Sequence, residues 1–73
     1  MMDKELATEL FDLAHEYGTK LNESLKRVQA TCSREDFEWY RSAVAHVMAC
    51  SQDHIMEPLI KMYPALEPEE WQE

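Results

Sequence analysis

The chain is poor in the residues that break or bend a backbone. It has one glycine, Gly18, in 73 residues, and its three prolines all fall within the last sixteen. That scarcity excludes a β-rich sandwich or barrel, which needs turn residues at short intervals. It also excludes a glycine-rich phosphate-binding loop. No apolar run approaches the ~20 residues that cross a bilayer, and the opening Met-Met-Asp-Lys-Glu does not read as a secretory leader. The expected compartment is therefore the cytoplasm. Basic residues are scarce as well: seven Lys and Arg against fifteen Asp and Glu give a net charge of −8. Such a balance repels phosphate and disfavours direct nucleic-acid binding.

What is present is helical periodicity. Leu6, Leu10, Leu13/Ala14, Tyr17, Leu21, Leu25 and Val28 recur at three- and four-residue steps, and so do Phe37, Tyr40, Val44, Val47/Met48, Ser51, Ile55 and Leu59. Each series lies on one face of a helix. The break between them, around Cys32-Ser33, is short enough to force two neighbouring helices to run antiparallel. The expected fold is all-α: an antiparallel helical hairpin of one domain, residues 1–73. Its helices should span about 3–31 and 34–57, with a short helix at about 58–63 opened by Pro58 and an acidic tail over 64–73. Ser33 reads as the N-cap of the second helix.

Helix 2 carries a further series, Trp39, Ala43, His46, Cys50, Asp53 and Glu57, along a different side, and residues 43–50 hold one polar residue in eight. That helix should be covered on two sides. Either the C-terminal segment folds back over it, with Tyr63, Leu66 and Trp71 as its apolar contacts, or a second chain covers it in a dimeric four-helix bundle. In the second case Ala43, His46 and Cys50 form the seam between subunits.

The charge is uneven. Residues 1–16 carry five acids and Lys4, and residues 53–73 carry six acids and Lys61, so the open end of the hairpin totals −9. Residues 17–52 total +1. Acids near the helix starts, such as Glu35 and Glu38, complement the helix dipole. The tail acids Glu67, Glu69, Glu70 and Glu73 are not explained in that way as a group.

Chemistry has little to stand on. Cys50 lies one helical turn from His46 and from His54, an arrangement that would suit a thiol-based redox sensor, although a small buried cysteine is the plainer reading. Zinc needs four ligands converging on a point, and His46 and His54 are about 12 Å apart along one helix. No metal, cofactor or catalytic residue is expected. Cys32 and Cys50 are separated by about 25 Å of helix, too far for a disulfide.

Binding is what remains. Trp39, opposite the main stripe of helix 2, suits an interface anchor, and Trp71 with Glu35, Glu38, Asp53, Glu57, Glu69 and Glu70 would complete an acidic contact for a basic protein surface. In size, helical make-up and acidity the chain resembles the small regulators with which bacteriophages bind host machinery such as RNA polymerase. Anti-CRISPR and other nucleic-acid-mimicking inhibitors fit the same description. The resemblance implies a non-catalytic protein that inhibits or redirects a nucleic-acid-handling enzyme by occupying its surface.

Overall fold

Asp3 starts the first helix by capping it. Its carboxylate accepts a hydrogen bond from the Leu6 N–H at 2.8 Å, and helix α1 follows over Lys4–Thr31. The computed structural model describes residues 2–71, so Glu73 of the expected tail lies outside the described residues. At 1.5 Å per residue α1 is about 42 Å long, close to the 45 Å longest dimension of the molecule. Cys32 and Ser33 are both extended, and the chain reverses there. The Ser33 hydroxyl accepts from the Asp36 N–H at 3.1 Å and caps helix α2, Arg34–Ser51. Replacing Ser33 by alanine should lower stability by about 1 kcal/mol. Urea denaturation of the two proteins checks this, and an unmoved midpoint would show that the cap contributes nothing.

The helices form a hairpin whose contacts pair late residues of α1 with early ones of α2. The Tyr40 hydroxyl lies 2.6 Å from Ser24 Oγ, which itself donates to the Leu21 carbonyl at 2.6 Å, so Tyr40 is the donor. Further along, the end of the Met48 side chain lies over Gly18, 3.6 Å from where a β-carbon would stand. That is ordinary contact with a flexible side chain, and Gly18 has no positive φ. Gly18→Ala should therefore raise stability by about 1 kcal/mol by restoring helix propensity. A fall in thermal midpoint would mean that Met48 cannot yield.

The second helix does not run regularly to residue 57. Beyond Ser51 it opens into a π-turn over Gln52–Met56, in which the Glu57 N–H reaches the Gln52 carbonyl five residues back. Helix α3, Glu57–Met62, continues from it. Pro58 sits in the first turn of α3, so the short helix expected at about 58–63 begins one residue earlier. In a regular helix its ring would press on the carbonyl four residues before it. The wider turn immediately upstream relieves that crowding. A π-turn holds one extra residue, so the apolar phase slips by one: Met56 is buried and Ile55, expected inside, is exposed.

The core is small. Ala7, Phe11, Ala14, Met56 and Leu59 form its buried cluster, and Val44 is the other buried apolar residue. Two 3-10 turns, Pro64–Leu66 and Glu69–Trp71, bring the C-terminal segment back. It packs on this cluster with Met2, Leu10, Ile60, Met62, Tyr63, Leu66 and Trp71. The Trp71 ring lies 6.2 Å from that of Phe11, tilted by 56°, and the Tyr63 hydroxyl donates to the Met2 carbonyl at 2.9 Å. The segment thus lands on α1, and the Trp39 side of α2 that it was expected to cover stays open.

Candidate interaction surfaces

On α1 each residue turns 100° from the last. Leu6, Leu13 and Tyr17 therefore share a strip about 40° wide, about 120–160° from Phe11. The C-terminal segment covers the Phe11 flank and leaves this strip bare. Leu13 is 63% exposed and Tyr17 54%, although both belong to the stripe expected to form the core. Their neighbours across the hairpin, Val47 and Ile55, are exposed as well. Between the two helices runs a groove of about 750 Å³ lined by Leu10, Leu13, Tyr17, Val47, Cys50 and Ile55, with Ser51 and His54 as its polar members.

Next to the groove, Trp39, Ala43, His46 and Cys50 fall within about 60° of one another on α2. Ala43 is half-buried and the other three are exposed, so no described residue of the chain covers this side. Trp39 is 72% exposed, with its ring 6.3 Å from that of Tyr40. Cys50 is not the buried thiol that an apolar helix suggested: it is exposed, with Sγ 3.9 Å from His46 Nε2. Cys32 is exposed too. Among the described residues no three His, Cys, Asp or Glu side chains are grouped to hold a metal ion.

The residues expected to contact a partner do not form one patch. Glu35 and Glu38 lie with Trp39 in the first turns of α2, where Glu38 Oε2 accepts from Arg41 at 3.2 Å. Asp53 is exposed in the π-turn, Glu57 is half-buried at the start of α3, and Glu69 and Glu70 are exposed in the last 3-10 turn. Glu38 and Asp53 are thus about 22 Å apart along the helix. Trp71 is half-buried against Phe11, an inward packing of the kind expected of it when the C-terminal segment folds back. Two ion pairs occur among the described residues, Lys20–Glu16 and Arg41–Glu38, each at 3.2 Å and exposed. Exposed pairs of this kind contribute little to stability. Glu5, Glu9, Asp12, Asp53, Glu57, Glu69 and Glu70 have no cation among the described residues within ion-pair distance.

The groove is not legible in the sequence, because the same periodicity that identifies a core stripe also describes a face with nothing on it. The available signal was total apolar area: two helices and a short tail offer more than they can bury. No family model matches this chain, and no curated protein or solved structure matches it. No helix among the described residues is long and apolar enough to cross a membrane.

Proposed function

We propose that the protein is a non-catalytic interaction module that docks its acidic half on a basic surface of a nucleic-acid-handling enzyme, RNA polymerase being the leading case, and inhibits or redirects it. The observation that supports this reading is the run of acids in the half of the molecule away from the turn. Seven of them lack a cationic partner within the described chain, so their charge is available to a partner's lysines and arginines. Long-range attraction of this sort speeds encounter and weakens with salt.

Binding of the protein to purified bacterial RNA polymerase, followed with rising salt, tests it. Glu69→Lys with Glu70→Lys should weaken binding at low salt by about tenfold, and unmodified protein should suppress transcription in proportion to occupancy. Absence of binding at low salt, or binding indifferent to both salt and the charge reversal, would remove the reading.

A further inference from the structure

The molecule exposes more surface than its mass accounts for. Its accessible area is 5841 Å², whereas a folded monomer of 8.6 kDa typically exposes about 4,700 Å². The excess is about 1,100 Å², and each partner in a standard stable interface buries about 800 Å². The radius of gyration agrees, 14.7 Å against about 11 Å for a compact chain of this length. Much of the apolar excess lies along the groove between the helices: Leu13, Tyr17, Val47 and Ile55 line it and are all more than two-fifths exposed, with Leu6 on the same strip of α1 and Trp39 on the neighbouring side of α2.

We propose that a second copy of this chain occupies the groove, two hairpins packing face to face as a four-helix bundle. Two helices with a bare apolar strip between them form half of such a bundle, and a two-fold arrangement lets the same strip serve both subunits. Charge sets the direction. Copies aligned the same way would place one −9 end beside the other. Copies aligned in opposite ways separate those ends. The groove is centred between residues 13 and 14 of α1, so the reversed arrangement also brings Lys20 of one chain to within about 3 Å of the height of Glu9 on the other. Both residues lie beside Leu13 on α1, within about 20° of each other. The proposal shares Glu9 with the acids of the proposed function but is tested on the protein alone, so either can fail without the other.

The experiment is the mass of the full chain by sedimentation equilibrium from low-micromolar to near-millimolar concentration. The expected result is a rise from 8.6 kDa to twice that value. Leu13→Asp and Ile55→Asp should each weaken the association by about tenfold or more with helical circular dichroism unchanged, because both side chains are exposed in the single chain. Lys20→Glu should weaken it at low salt and not at high salt. A mass fixed at 8.6 kDa throughout overturns the proposal, as does dimerisation that ignores both aspartates. Dimerisation strengthened by Lys20→Glu overturns the reversed arrangement.

The native cysteines give a check that needs no folded variant. Cys50 lines the groove, while Cys32 sits at the turn. The ratio of Cys50 to Cys32 alkylation should fall as protein concentration rises. A constant ratio overturns the proposal. So does a Cys50 that becomes protected only when a synthetic basic amphipathic helix is added, since the groove would then belong to a foreign helix.

Discussion

Phe11→Ala is expected to remove a large share of the protein's stability. Phe11 is 5% exposed at the centre of a cluster whose other members on α1 are alanines. Truncating a buried phenylalanine costs about 3–5 kcal/mol, and a domain of this length has about 4–11 kcal/mol in all. The Trp71 ring would lose its partner at the same time. Circular dichroism and urea denaturation at fixed protein concentration measure the effect. Trp71→Ala, at a half-buried site, should cost less. The double variant should then show a coupling of about 1 kcal/mol between the rings. Additive costs would mean that the rings are neighbours without mutual stabilisation.

Deletion of single residues should separate the π-turn from the rest of the second helix. Removing Asp53, an exposed residue inside the turn, lets the helix close to regular α geometry and keeps Met56 and Leu59 directed at α1. The expected change in stability is small, about 1 kcal/mol or less. Removing Ala45, an exposed residue in regular α2, rotates everything after it by about 100° and carries Met56 and Leu59 out of the core. Cooperative unfolding should be lost. Thermal melts of the two deletions decide the matter: equal damage would show that the π-turn is needed for some reason other than phase.

The same turn shows where the sequence was readable and where it was not. Helix starts were legible because their determinants are local: Asp3 and Ser33 each satisfy a backbone N–H three residues on. The hairpin was legible from two periodic runs with little between them. Ile55 was misplaced because periodicity assumes a constant turn, and the five-residue bond from Glu57 to Gln52 shifts the phase by one. Phe11 was overlooked beside the larger count of leucines on its neighbouring strip. Which flank of α1 is covered depends on contacts sixty residues apart in sequence, Trp71 with Phe11 and Tyr63 with Met2. The candidate contacts fared similarly. Their exposure at Trp39, Glu35, Glu38, Asp53, Glu69 and Glu70 follows from helix position. The inward packing of Trp71 was legible as a fold-back contact, whereas its partner Phe11 was not, because no local rule identifies it.

Those distant contacts also constrain the order of events in the cell. Chains emerge from the ribosome N-terminus first, and α1 contains the flank that Tyr63, Leu66 and Trp71 cover. The Phe11 ring has no access to Trp71 until the last of the described residues has been made, so the core cannot close on a partly synthesised chain. The hairpin is born with apolar surface showing on both of its flanks. A nascent chain in that state is a substrate for chaperones and for aggregation, and loss of residues 63–71 would leave it there permanently.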